Sequence, residues 1–143
     1  PSMKMFGRNR AAEFSWLLGA AWDDVTVPLS VLIVDDSADF RSSASALLGE
    51  EGFAVVGEAA DGAEAIAAAI RLSPDVVLLD IQLPDIDGFV VAERLAGLPR
   101  APAVVLISSR DEGVFELRLA TTPARGFLAK SRLSGEALAQ IVT

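Results

Sequence analysis

The chain has 143 residues, 52% of them apolar, which is enough for one domain and ample to fill a single core. Twenty acidic against twelve basic side chains leave a net charge of −8, which repels nucleic-acid backbones and anionic membrane surfaces, so direct nucleic-acid binding is not expected. Cysteine and histidine are both absent, which excludes disulfides, thiolate metal sites and imidazole bases; any chemistry must run on carboxylates, hydroxyls and amines.

Residues 1–29 are expected to be an N-terminal extension, partly vector-derived at Pro1 and Ser2 and partly helical. Phe14, Leu17, Leu18 and Ala21 fall at i, i+3, i+4 and i+7, the spacing of one helix face, before Asp23 and Asp24 interrupt it. Such a helix could pack on the domain or pair two chains through Phe14, Leu17 and Trp22, so a homodimer is one expectation. Lys4, Arg8 and Arg10 faintly imitate a secretion signal, but Glu13 and Ser15 break its apolar stretch. No apolar run approaches the roughly 18 residues of a membrane span, and the lack of cysteine suits a reducing compartment, so a cytoplasmic location without membrane contact is expected.

After Pro28, short β-branched runs alternate with alanine-rich helical stretches. Strands are predicted at 30–34, 53–56, 75–79, 103–107 and 126–129, and helices at 38–50, 62–72, 88–96, about 111–121 and 134–141. Five βα units over residues 30–143 imply an α/β fold: an open, doubly wound, five-stranded parallel sheet covered by helices on both faces. Ligands of such sheets bind at the carboxyl ends of the strands.

There the first run, Val31-Leu32-Ile33-Val34, meets Asp35-Asp36, and the third, Val76-Val77-Leu78-Leu79, meets Asp80. Two carboxylates about 4 Å apart repel by roughly 4 kcal/mol at an effective dielectric near 20, so three on one rim call for a cation. Oxygen ligands without nitrogen or sulfur favour Mg²⁺. The fourth run ends in Ser108-Ser109 and the fifth in Lys130, adding a hydroxyl and an ammonium. Taken singly, each of these residues also reads as a cap, a turn or a solvated charge.

These residues resemble the receiver domains of two-component signalling, in Val31-Leu32-Ile33-Val34-Asp35-Asp36-Ser37, in Val55-Val56-Gly57-Glu58-Ala59-Ala60-Asp61-Gly62, in Leu79-Asp80-Ile81-Gln82-Leu83-Pro84-Asp85-Ile86-Asp87-Gly88 and in Gly126-Phe127-Leu128-Ala129-Lys130. The resemblance covers residues 30–143 and implies a flavodoxin-like fold, strand order 2-1-3-4-5, with five helices. It further implies that Asp80 accepts a phosphoryl group from a histidine kinase or phosphotransfer protein. Asp35, Asp36, Asp80 and the backbone carbonyl of Gln82 would hold Mg²⁺, and Lys130 would pair with the phosphoryl oxygens. Ser108 and Phe127 would switch the output surface, while Gln82 and Arg110 would tune phosphoryl loss. On this reading the chain is a switch with at most slow self-dephosphorylation, not an enzyme.

Ser131, where many receivers carry proline, and the Val-Val-Gly-Glu-Ala segment point to receivers of helix-turn-helix transcription regulators. A stand-alone receiver that docks to a partner and a pseudo-receiver that works without phosphorylation are the alternatives. Thr121-Thr122-Pro123 suggests that the fourth helix ends early. Asp85-Ile86-Asp87-Gly88 imitates the Asp-x-Asp-Gly motif of haloacid-dehalogenase-like phosphatases, but Gln82-Leu83-Pro84 separates it from the strand such a nucleophile needs.

Overall fold

The computed structural model describes residues 27–143. The amphipathic stretch at 11–22, and the dimer it suggested, lie outside the described residues. The remainder runs β1 (Ser30–Val34), α1 (Ala38–Glu50), β2 (Ala54–Ala59), α2 (Gly62–Leu72), β3 (Val76–Asp80), α3 (Gly88–Ala96), β4 (Ala103–Ser108), α4 (Glu116–Leu119), β5 (Gly126–Ala129) and α5 (Gly135–Val142). Every strand pair is parallel and the order is β2-β1-β3-β4-β5, as the resemblance implied.

Strands β3 and β4 are buried at every position and β1 at all but its first, because helices cover both faces of the sheet. Alternate side chains of each strand therefore feed two cores. Leu32, Val34, Val77, Leu79 and Leu106 pack with α2 and α3; Val31, Ile33, Val76, Leu78, Val105 and Ile107 pack with Ala44 and Leu48 of α1 and Leu138 of α5. Four helices start on side-chain caps: Ser37, Asp61, Asp87 and Ser134 accept from Phe40, Glu64, Phe89 and Ala137 backbone N–H groups. Each cap is worth about 1 kcal/mol.

Several boundaries differ from the expected ones; among them β3 begins at Val76 rather than 75 and α5 spans Gly135–Val142 rather than 134–141. Asp80 and Ser108 are the last residues of β3 and β4 rather than loop residues, since the ladder continues through the Asp80–Ile107 and Ser108–Ala129 pairs. Strand β2 starts one residue late and runs on to Ala59, with a register shift opposite Val31 and Leu32 that leaves Val56 exposed. The fourth helix is a 3₁₀ turn (Glu112–Phe115) followed by a single α turn ending at Leu119, shorter than 111–121 and as early an ending as the Thr-Thr-Pro segment suggested.

Candidate functional site

Parallel β1 and β3 end side by side, so Asp35 and Asp80 share the face that α1 and α5 cover. Both are almost wholly buried, at 0% and 4% exposure, whereas Asp36 is exposed. Carboxylate oxygens of Asp35, Asp36 and Asp80 all lie within 4.8 Å of one another. Lys130, in the 3₁₀ turn after β5, places Nζ 2.6 Å from Asp35 Oδ2 and 3.4 Å from Asp80 Oδ2, and 4.7 Å from the centre of the Phe40 ring. The other carboxylate oxygens are held by backbone: Ser37 N–H donates to Asp35 Oδ1 at 2.8 Å and Gln82 N–H to Asp80 Oδ1 at 3.0 Å.

Electrostatics follow from this burial. Loss of water pushes the Asp80 carboxyl up to about 6; the Asp35 charge adds to the rise, while the Gln82 N–H and Lys130 oppose it. Burial by itself would lower the Lys130 ammonium, but contact with Asp35 and the charges of Asp80 and Asp35 outweigh it and raise the group above its ordinary value. Asp35 Oδ2 is fully buried and is met by the Lys130 ammonium, which Asp80 Oδ2 shares. One ammonium against three converging carboxylates leaves an excess of negative charge that a hard divalent cation offsets, and no nitrogen or sulfur ligand competes. The donor set fits Mg²⁺.

Ser108 is fully buried, with Oγ accepting from the Arg110 N–H at 3.0 Å. By strand alternation it faces the α2/α3 core, the face on which Phe127 packs. Half-buried Phe127 stacks on Phe115 (centroids 6.3 Å apart), which meets Phe89 at 6.1 Å. Arg118 caps this aromatic row, 4.2 Å over Phe89 and 2.8 Å from Asp87. Gln82 is exposed at the start of the loop after β3, and Arg110 is exposed beyond β4.

The structure thus brings Asp35, Asp36, Asp80 and Lys130 together, and sets Ser108 and Phe127 on the opposite face of the sheet. The Asp-x-Asp-Gly motif does something else. Asp87 caps α3, and Asp85 accepts from Gly62 N–H at 2.7 Å and Ala63 N–H at 2.9 Å, closing the first turn of α2. Those two bonds hold the Asp85 carboxyl below its ordinary value. Neither aspartate ends a strand, so the motif is a pair of helix caps.

Two contributions were not foreseen. Gly88 sits so close to the end of β3 that a Cβ there would lie 2.5 Å from the Asp80 carbonyl oxygen and 2.6 Å from Ile81 Cα. Arg41 donates from Nη1 to the Asp35 carbonyl at 2.6 Å. The available signal was a charge in the apolar stripe of α1, because Arg41 stands at i−3 and i−7 from buried Ala44 and Leu48.

This fold is that of a signalling receiver, and the chain belongs to the response regulator receiver domain family, whose model matches residues 31–143. It is 46% identical over 112 residues to protein-glutamate methylesterase/protein-glutamine glutaminase 6 of Anaeromyxobacter dehalogenans, covering 73% of this chain and 32% of that protein. It is 38% identical over 107 residues to the transcriptional regulatory protein PdtaR of Mycobacterium tuberculosis, covering 75% and 52%. The chain therefore spans about a third to a half of the length of these curated relatives. Among solved structures, the receiver domain of NarL from Mycobacterium tuberculosis superposes with a TM-score of 0.74 at 32% identity, covering 80% of this chain and 96% of that one. The CheX–CheY–BeF₃–Mg²⁺ complex from Borrelia burgdorferi gives 0.70 at 30%, covering 84% and 90%. No helix among the described residues is long and apolar enough to cross a membrane.

Proposed function

We propose that this domain is a phosphorylation switch in which Asp80 takes a phosphoryl group from a phosphohistidine of a partner kinase or phosphotransfer protein. The observation that carries this reading is the buried Asp35–Asp80 pair with Lys130 against both carboxylates. An Asp80 carboxylate oxygen attacks phosphorus; the P–N bond to the donor imidazole breaks, and the leaving nitrogen keeps the electron pair and takes a proton. Residues 1–143 contain no histidine, so the donor phosphohistidine lies outside them. Asp35, Asp36, Asp80 and the Gln82 carbonyl would hold Mg²⁺, which when bound supplies charge neutralisation for the phosphoryl oxygens.

Lys130 reaches Asp80 across the sheet edge and so stands where a phosphoryl oxygen on that residue can pair with its ammonium. The Ser108 hydroxyl turns from the Arg110 N–H to a second oxygen. That movement frees space for Phe127, and the surface formed by α4 and β5 changes with it. Moving such an equilibrium from 1:99 to 99:1 takes about 5.5 kcal/mol, a scale that several charge-assisted contacts can reach. The chain is a switch rather than an enzyme, at work in the cytoplasm. The similarity to PdtaR and to the NarL receiver supports an output in transcription.

Incubation with Mg²⁺ and acetyl phosphate, read by intact mass, tests the reading. The wild type should gain one phosphoryl group and Asp80→Asn none. Equal labelling of both, or an unlabelled wild type, would sink it.

A further inference from the structure

Arg41 belongs to none of the roles above, yet it is the only side chain among the described residues that donates to the backbone of Asp35. Past the last rung of the ladder to β3, at Val34 and Leu79, the Asp35 carbonyl has no strand partner, and Arg41 Nη1 takes it at 2.6 Å. The same guanidinium gives Nε to Glu58 Oε1 of β2 at 3.1 Å. The Arg41 side chain is 18% exposed, while the Glu58 carboxylate that aims it, at 42%, stays open to water.

The register shift in β2 makes the contact possible. Without it the Ser30–Ala54 and Val31–Val55 pairs would continue as Leu32–Val56 and Ile33–Gly57, and Glu58 would fall opposite Val34, on the α2/α3 face. With the shift, Gly57 pairs with Leu32 and Glu58 with Ile33, which turns the carboxylate to the α1 face where Arg41 stands. Bulges beside functional sites re-aim side chains in this way. The bulge leaves Val56 exposed at 40%, an apolar cost that the local strand pattern alone does not explain.

We propose that Arg41, aimed by Glu58 and the β2 bulge, is a positioning residue for the cation and phosphoryl site. It fixes the peptide between Asp35 and Asp36, and so the directions from which their two carboxylates converge on Asp80. With Asp35 N–H donating to the Ala59 carbonyl at 3.0 Å and Asp35 Oδ1 held by the Ser37 N–H, the Arg41 bond completes the restraint of this residue. Asp36, exposed and next in the chain, takes its orientation from that peptide. Lysine cannot replace the residue in full, because one ammonium does not reproduce the planar fork that serves two acceptors.

This inference rests on the proposed Mg²⁺-dependent phosphorylation of Asp80. The test is Mg²⁺ affinity of the unphosphorylated full chain by calorimetry, with acetyl phosphate labelling in parallel, for the wild type, Arg41→Met, Arg41→Lys and Glu58→Gln. Simple electrostatics and positioning predict opposite signs. Deleting a cation near an acidic rim should tighten Mg²⁺ binding, whereas releasing the Asp35 carbonyl should weaken it. We expect Arg41→Met to bind Mg²⁺ about tenfold more weakly, the equivalent of one charge-assisted hydrogen bond, with Arg41→Lys between it and the wild type. Glu58→Gln should weaken binding by about threefold, but loss of a carboxylate weakens cation binding on electrostatic grounds as well, so the opposition of signs rests on the Arg41 variants. Circular dichroism confirms that each variant is folded, and Arg41→Lys, which keeps the charge and loses the fork, carries the test if Arg41→Met is not. Equal or tighter Mg²⁺ binding in the folded variants, with a wild type that binds Mg²⁺ and is labelled, would overturn the positioning role alone. A wild type that neither binds Mg²⁺ nor is labelled would bring down the functional reading and this inference with it.

Discussion

The half of the sheet around β1 and β3 and the half around β4 and β5 are built to different standards. In the first, α1, α2 and α3 run for 13, 11 and 9 residues and each starts on a side-chain cap. In the second, a 3₁₀ turn and a four-residue α4 join β4 to β5 without a side-chain cap; Val114 is 58% exposed, Leu117 87%, and no residue of β5 is fully buried. Strand β4 itself is buried throughout, but the segment that joins it to β5 rests chiefly on the Phe89–Phe115–Phe127 row and the Arg118–Asp87 pair. Few buried contacts and uncapped turns mean a low cost of local rearrangement, which is what a switching surface needs.

The same substitution made in each half gives the widest contrast. Gly88→Ala drives a methyl into the backbone of Asp80 and Ile81 and should cost about 3 kcal/mol in urea unfolding, with loss of labelling at Asp80. Gly113→Ala meets nothing within 4 Å and lies at ordinary φ, so it should be neutral or stabilise by about 0.5 kcal/mol. Comparable losses at both positions would erase the distinction.

Next in size is the buried Asp80 carboxyl. Because folding raises the Asp80 carboxyl from 3.8 to about 6, the native state holds its proton more tightly than the unfolded chain. Its stabilising effect is complete below pH 3.8 and is lost as the pH rises through about 6. Asp80→Asn removes the buried charge, so it should stabilise the metal-free protein by about 1–3 kcal/mol at pH 7.5, with the gain fading near pH 4. A gain independent of pH, in unfolding curves at both values, would show that charge burial is not its source.

The smallest effect belongs to the loose half. Leu117→Ser, at a nearly bare position, should change stability by less than about 0.5 kcal/mol. Amide exchange across residues 112–125 should nevertheless be faster than across α1 and α2, and protection equal to theirs would refute the comparison.

Much of this was legible in the residues themselves. The runs ending in Asp35, Asp80, Ser108 and Lys130 are continuous apolar segments bounded by polar residues, and a strand buried on both faces can hardly be written otherwise. The caps Ser37, Asp61, Asp87 and Ser134 act within three residues of their targets, so their meaning is local. Alanine-rich helices between such strands entail a parallel sheet, and with it the convergence of the strand ends on one rim.

Contacts between residues far apart in the chain were decided only by the tertiary structure. Asp85 closes a helix that begins more than twenty residues earlier, Gly88 is demanded by the backbone of Asp80, and the β2 bulge that turns Glu58 toward Arg41 depends on how β2 settles against β1. In each case the local pattern is compatible with more than one register or partner, and the energy that selects among them comes from packing against distant elements. The sequence by itself determined which groups would reach the rim, because strand alternation and strand ends are properties of short segments. How those groups are aimed at one another was decided by the assembled sheet.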